Sequence, residues 1–132
     1  MAKKIIFSVI VVFVVWSILD FVIHQLILGT SYQATANLWR PMTEMKMGLM
    51  YTVVLLVSIA FVCLYAFLVG NQGIKNGFFY GLIYGLAAGL SMGYGTFAVM
   101  PIPYYMALTW FLGSVVEYVI AGLIVGWICG RK

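Results

Sequence analysis

The most informative stretch of this sequence covers residues 77–93 and reads GFFYGLIYGLAAGLSMG. Every fourth residue is glycine, and the residues between the glycines are almost entirely apolar or aromatic. In a soluble helix each glycine costs about 1 kcal/mol relative to alanine, so five on one stripe need a physical reason. Within lipid, small residues let another helix backbone approach closely and gain van der Waals contact. The stretch therefore predicts a membrane-spanning helix with a close neighbour. Its glycines are Gly77, Gly81, Gly85, Gly89 and Gly93.

The rest of the chain shares this apolar character. Of its 132 residues, 65% are hydrophobic and 8% are charged, and the mean hydropathy is +1.12. A soluble domain has about 45–50% apolar and about 25% charged residues, and one of this length cannot bury so much apolar surface. Soluble enzymes and disordered regulators are thereby excluded. The basic residues form no stripe that suits nucleic acid, so no nucleic-acid partner is expected.

Four apolar runs are long enough to cross a lipid bilayer, which takes about 20 helical residues. Because backbone groups in hydrocarbon must satisfy their own hydrogen bonds, each run is predicted to be a helix. The sequence predicts an all-α, polytopic integral membrane protein with a single domain over residues 1–132, folded as a four-transmembrane-helix bundle. The predicted spans cover residues 5–29, 48–70, 77–100 and 106–129.

The connection over residues 30–47 is the only long one, and it is predicted to contain a short helix lying in the outer membrane interface. Thr30 and Gln33 have the spacing of a capping box at the start of such a helix. Pro41 disfavours helix at the residue before it. The inner connection, residues 71–76, is predicted to be a tight polar turn.

The basic residues predict the orientation of the chain. Five of them fall on one side of a four-span bundle, and Arg40 and Lys46 fall on the other. This bias indicates that both termini are cytoplasmic, in a bacterial inner (plasma) membrane. A rival interpretation is a signal peptide cleaved near Ala34–Ala36. The first apolar run is too long for that, and it contains Asp20 and His24. The five basic residues on the terminal side are Lys3, Lys4, Lys75, Arg131 and Lys132.

Small residues also recur on the fourth predicted span, at Gly122 and Gly126. Their four-residue spacing matches that of the third span, so we expect these two spans to pack closely. The alternative is that the glycines form the interface of a homo-oligomer or of a larger membrane complex.

Three ionisable residues lie at membrane depth: Asp20, His24 and Glu117. A charge at the centre of a membrane helix costs about 2.5–3.5 kcal/mol on insertion scales, so such residues are functional candidates. Asp20 and His24 are four residues apart and share a helix face. Glu117 lies at a similar depth, within about 5 Å of Asp20 along the membrane normal, because a helix rises 1.5 Å per residue. The two carboxyl groups can meet only if the first and fourth spans are neighbours.

Two carboxyl groups and an imidazole can relay protons or hold a cation. Close carboxyl groups share a proton, because like charges disfavour ionisation of both. His24 exchanges protons near neutral pH, and Arg40 or Glu44 is expected to reach it from the outer interface. The alternative is structural, since polar pairs also hold membrane helices together.

Methionines near the outer side form a weaker signal. Thioethers bind soft ions such as Cu(I), although methionine is also a common filler of irregular packing. The four closest in sequence are Met42, Met45, Met47 and Met50. The two cysteines have neither metal-ligand spacing nor the pattern of a disulfide framework. A single histidine excludes bis-histidine haem within one chain.

These observations leave three hypotheses. The first is a non-enzymatic accessory or structural subunit, or a self-associating membrane protein that uses no cofactor. The second is a small proton- or ion-coupled transporter whose site is Asp20, His24 and Glu117. The third is a Cu(I)-handling protein. The length and four-span plan resemble those of small multidrug transporters, and this resemblance is one of architecture alone.

Overall fold

The computed structural model describes residues 1–70 and 72–130, and all regular secondary structure in this part of the chain is helical. Four helices are long and apolar enough to cross a membrane, which confirms the predicted four-helix plan. Asn71, Arg131 and Lys132, which contributed to the predicted inner turn and orientation, lie outside the described residues. The four spans, named first to fourth in chain order, are Ala2–Ile27, Met47–Val69, Gly73–Val99 and Tyr104–Cys129.

Three of the four spans change from α to π geometry, whereas the fourth is one uninterrupted α-helix. Short π segments are rare and occur frequently at functional sites. The π segment of the first span contains His24 and ends where the Leu28 amide donates to the Ile23 carbonyl at 3.0 Å. The three π segments are Val22–Ile27, Tyr65–Val69 and Leu90–Gly95.

The third span begins at Gly73, four residues earlier than the sequence predicts. Gly70 and Gly73 have φ values of +76° and +82°, a left-handed backbone that glycine adopts readily. These two glycines mark the change of direction. Lys75 and Asn76, which the sequence analysis placed in a polar turn, belong to the first turns of the helix.

The long connection contains the helix Gly29–Ala34 and two short 3₁₀ turns, Ala36–Leu38 and Met42–Glu44. The predicted capping box is wrong, because this helix has Leu28 at its N-cap position and no side-chain cap. At the other end of the helix, the Thr35 hydroxyl donates to the Ser31 carbonyl at 2.8 Å. The side-chain hydrogen bond of this helix is therefore at its C-terminal end and not at its N-terminal end.

The third span packs along the fourth, and the first span packs against both the second and the fourth. The second span reaches the third through the Tyr80 hydroxyl, which donates to the Phe61 carbonyl at 2.6 Å. We call the end that carries residues 28–46 and 100–103 the loop end, and the opposite end the terminal end. A loop-end core comprises Leu28, Ile102, Met106, Ala107 and Trp110. The main core comprises Val12, Trp16, Phe61, Val62, Tyr65, Ala121, Val125 and Cys129.

Candidate functional site

The carboxyl groups of Asp20 and Glu117 lie close enough to interact across the interface of the first and fourth spans. The two helices are joined on either side of this pair. Toward the terminal end, the Trp16 indole N–H donates to the backbone carbonyl of Glu117 at 2.9 Å. Toward the loop end, Ile23 packs so tightly on Gly113 that an added Cβ there would lie 2.9 Å from Ile23 Cδ1. These contacts bring two groups together that are 97 positions apart in sequence.

One oxygen of this pair lacks a partner. Glu117 Oε1 is buried and accepts no hydrogen bond from the described part of the protein. An unpaired buried oxygen is costly in a low-dielectric interior, and a full negative charge there is more costly still. The arrangement therefore suits a proton or a small cation shared between the two carboxyl groups.

His24 lies one turn further toward the loop end, where its Nδ1 atom is 2.7 Å from the hydroxyl of Tyr32. The same hydroxyl accepts a hydrogen bond from the Trp110 indole nitrogen at 2.9 Å. Asp20 is close enough to act electrostatically on both His24 and Tyr32. Polar groups thus follow one another from Glu117 to the connection, in the order Glu117, Asp20, His24 and Tyr32.

The Tyr32 phenol lies outside the spans, in the helix Gly29–Ala34. Burial raises its pKa above the ordinary value; the Trp110 hydrogen bond opposes this shift, and the charge of Asp20 adds to it. Because free tyrosine titrates near pH 10, Tyr32 keeps its proton at physiological pH. Its oxygen can therefore accept from Trp110 while its hydrogen remains available to His24.

Aromatic rings fill the space beside the acid pair toward the terminal end. Tyr118 lies 5.0 Å from the Trp16 ring and 4.9 Å from the Tyr84 ring, measured between centroids. Phe61 contacts both Trp16 and Tyr118 at 5.4 and 5.5 Å. The polar line therefore leads to the loop end, whereas rings pack against the pair on its other side.

Arg40 and Glu44, the predicted outer partners of His24, both lie exposed on the connection. Neither makes a hydrogen bond or ion pair with a described residue, and Tyr32 occupies the position at the imidazole instead. The sequence analysis did not single out Tyr32 or Trp110 as site residues. Their residue types could have indicated a role, because a buried tyrosine or tryptophan usually finds a hydrogen-bond partner for its polar atom.

The methionines of the copper hypothesis lie at the loop end. Met42 and Met50 have largely exposed side chains, Met47 is 40% exposed, and Met45 is half-buried. Among the described residues, no group of three or more His, Cys, Asp or Glu side chains could hold a metal ion. Binding of Cu(I) by the methionines stays a prediction, which metal analysis after native purification can check.

The glycine stripe of the third span faces the fourth span of the same chain. A Cβ on Gly77 would overlap the Gly122 carbonyl oxygen, and one on Gly126 would lie 2.8 Å from the Gly73 carbonyl oxygen. Further along, a Cβ on Gly93 would lie 2.6 Å from the Ala107 carbonyl oxygen. The remaining stripe positions, Gly81, Gly85 and Gly89, are equally buried against the fourth span.

Two grooves open on the sides of the bundle. One, of about 430 Å³, lies along the first span and includes Ser17 and Tyr51 in its lining. The other, of about 710 Å³, lies between the second and third spans. Neither is lined by Asp20, His24 or Glu117, so these two grooves do not lead to the acid pair.

No protein-family model, curated protein or solved structure matches this chain. The functional inference therefore rests on the chemistry of its own residues.

Proposed function

We propose that this chain is a small, non-enzymatic integral membrane protein that holds an exchangeable proton between Asp20 and Glu117. This proton would serve proton- or ion-coupled transport. One observation supports the proposal: the two carboxyl groups lie close enough to interact, and the buried Glu117 Oε1 has no hydrogen-bond partner among the described residues. A charge at mid-membrane costs about 2.5–3.5 kcal/mol on insertion scales. Sharing a proton avoids much of that cost, and losing it places a charge in the interface of two helices.

Infrared spectroscopy can test the shared proton directly, because the sequence contains only three carboxylic side chains. In lipid at neutral pH, we expect the carbonyl band of a protonated carboxyl group. Glu117→Gln and Asp20→Asn are each expected to shift or weaken this band, because each leaves one buried carboxyl group without its carboxyl neighbour, whereas the exposed control Glu44→Gln leaves it unchanged. A band that neither spanning substitution alters, or that is missing from the parent protein, contradicts the proposal.

Coupling to transport needs a separate measurement. Vesicles containing the protein and a trapped pH-sensitive dye are placed in a pH gradient. We expect the parent protein to change the internal pH and Glu117→Gln not to do so. Equal traces for parent and variant would mean that the acid pair only holds the helices together.

A second candidate, an accessory or self-associating subunit, is favoured by the groove between the second and third spans. Its lining includes Leu64, Tyr80, Ile83 and Ala87, so it offers an apolar surface with a small residue at one position. The glycine stripe is covered by the fourth span, whereas this groove is open to a partner helix or a second copy. Small residues in such a surface permit close approach of another helix.

Cysteine cross-linking in native membranes tests this candidate. Ile83→Cys, whose side chain is 67% exposed in the groove, is expected to cross-link to a partner or a second copy. Leu112→Cys, 51% exposed on the fourth span, is the matched control and should remain uncoupled. Native mass measurement of the detergent-extracted protein should then exceed the mass of one chain. A monomeric mass with no cross-link from Ile83→Cys would contradict the candidate.

The orientation is proposed from charge. We infer that both termini lie in the cytoplasm of a bacterial cell and that the loop end faces outward, with the helix Gly29–Ala34 at the outer interface of the inner membrane. Basic residues at both ends of the chain support this assignment. They are Lys3 and Lys4 before the first span and, in the sequence, Arg131 and Lys132 after the fourth. Reporter fusions at either terminus should both report cytoplasm, and a reporter placed near Thr43 should report the outer side.

A further inference from the structure

The bundle has an open side between its second and third spans. The first span packs against the second and the fourth, and the third packs along the fourth, whereas the second and third meet through aromatic side chains. Tyr80 donates to the Phe61 carbonyl at 2.6 Å, and the Phe61 ring lies 5.2 Å from the Tyr84 ring. These rings hold the two helices apart, and the groove of about 710 Å³ lies over them.

Two rows of side chains from the third span line this groove, each with the four-residue spacing that keeps side chains on one helix face. The members of the inner row are half-buried and form the floor, and the members of the outer row are exposed and form one edge. Leu64 and Val69 of the second span form the opposite edge. The floor consists of Asn76, Tyr80, Tyr84 and Ala88. The exposed edge of the third span consists of Phe79, Ile83 and Ala87.

The terminal end of the groove carries a positive charge and two side-chain amides. Asn76, the first residue of the floor, donates its amide to the Gln72 side chain at 3.4 Å. Lys75 lies four residues before Phe79, so helical periodicity extends the exposed edge to this lysine. Lys75 is itself exposed and makes no hydrogen bond or ion pair with a described residue. Because helical side chains tilt toward the N-terminus of their helix, its ammonium group is directed to the membrane surface at this end.

The length of the groove matches one leaflet of a bilayer. Asn76 and Ala88 mark its two ends on the third span, and twelve residues at about 1.5 Å each span about 18 Å. The hydrocarbon core of a bilayer is about 30 Å thick, so one leaflet contributes about 15 Å. A partner helix that crosses the membrane would extend well beyond such a groove, whereas an acyl chain would not.

We propose that this groove binds an anionic phospholipid from the leaflet at the terminal end, with one acyl chain between the second and third spans and the phosphate at Lys75. Lysines at the membrane surface attract anionic headgroups. The small side chains of Ala87 and Ala88 leave room for the end of the chain at the inner end of the groove. The inference does not rest on the proposed proton site. It is an alternative to the partner helix of the second candidate function, because one groove cannot hold both occupants.

Native mass spectrometry of the full-length protein in a non-ionic detergent tests the site. The protein is titrated with phosphatidylglycerol and, separately, with phosphatidylcholine that has the same acyl chains. We expect one tightly bound lipid per chain and an affinity about fivefold higher for phosphatidylglycerol, which is the effect of one lysine close to an anionic headgroup. Glycerol 3-phosphate carries the charged group without acyl chains, and an excess of it should not displace the bound lipid.

Substitutions separate the headgroup contact from the acyl-chain contact. Lys75→Gln should bind both lipids with equal affinity. Lys3→Gln removes the same charge at the same end, on a span that does not line the groove, and should keep the preference. Ala88→Phe places a ring in the floor at the inner end and should lose both lipids, and Ala87→Phe does the same from the exposed edge if Ala88→Phe fails to fold. Helical content and elution volume are measured for each variant.

Equal affinity of the parent protein for the two lipids would overturn the proposal, and so would a preference that survives in Lys75→Gln. Lipid binding that persists in a folded Ala88→Phe or Ala87→Phe variant would exclude the groove as the site. Displacement by glycerol 3-phosphate would indicate a site for a free anion instead of a lipid. Cross-linking of Ile83→Cys to another protein chain in native membranes would assign the groove to a helix and would equally overturn the proposal.

Discussion

Substituting Gly93 with alanine is expected to separate the third and fourth spans at their loop-end contact. The added Cβ would lie 2.6 Å from the Ala107 carbonyl oxygen and 3.2 Å from the Phe111 amide nitrogen. Both atoms belong to the backbone of the fourth span, so no side-chain rotation can make room. Ordinary contact begins at 3.4 Å, so the helices must move apart locally by about 0.8 Å.

The expected loss of stability follows from this displacement. Overpacking of a close-packed interior typically costs about 1–3 kcal/mol. Because backbone must shift here, we expect about 2 kcal/mol, or about a thirtyfold larger unfolding equilibrium constant. Gly85→Ala should cost less, about 1 kcal/mol, since its closest contact would be 3.0 Å from the Val115 Cα.

Unfolding by a denaturing detergent in mixed micelles, followed by circular dichroism and by tryptophan fluorescence, measures these differences. Gly95→Ala is the matched control, because it lies in the same π segment and its added Cβ would have its nearest neighbour at 4.0 Å. We expect this control to equal the parent protein or to exceed its stability by up to about 1 kcal/mol, the helix-propensity gain of alanine over glycine. Equal stabilities for Gly93→Ala and Gly95→Ala would refute the inferred backbone contact.

Three other outcomes follow from the same structure. Trp16→Phe removes the 2.9 Å hydrogen bond to the Glu117 carbonyl, so mixed-micelle unfolding should show a loss of about 1 kcal/mol. Because burial raises the pKa of Tyr32, the folded protein holds the phenolic proton more tightly than the unfolded chain does. The stability from this group is therefore constant below about pH 10 and falls as the pH rises further, and unfolding midpoints of Tyr32→Phe should lack that component. Ser8→Ala removes a 3.4 Å contact with the Cys129 sulfur, a weak hydrogen-bonding partner, and thermal unfolding should reveal a change below about 0.5 kcal/mol.

Parts of the candidate site could be predicted from spacing along the chain. Asp20 and His24 are four residues apart, and any helix brings such residues to one face. The contact of Asp20 with Glu117 has no such local cause, because it depends on which spans are neighbours. Spacing likewise predicted no partner for Tyr32, whose hydroxyl reaches His24 only because the connection folds back over the helix ends.

The ends of elements were less predictable than their existence. The third span extends back to Gly73 because its polar first turn is compatible with helix at the end of a span, a possibility that hydropathy does not register. The expected capping box at Thr30 is absent because the helix begins at Gly29, directly after the π segment and Leu28, so Thr30 lies inside the helix instead of at its N-cap position.

The sequence by itself determined that this chain forms four apolar helices. Hydrocarbon offers backbone groups no partner except one another, so composition along each run suffices for that conclusion. Only the tertiary structure decided which helices touch, that Glu117 meets Asp20, and that Tyr32 links His24 to Trp110. Within lipid, apolar faces are nearly equivalent, and the choice of neighbour depends on small residues and polar groups matching at atomic distance.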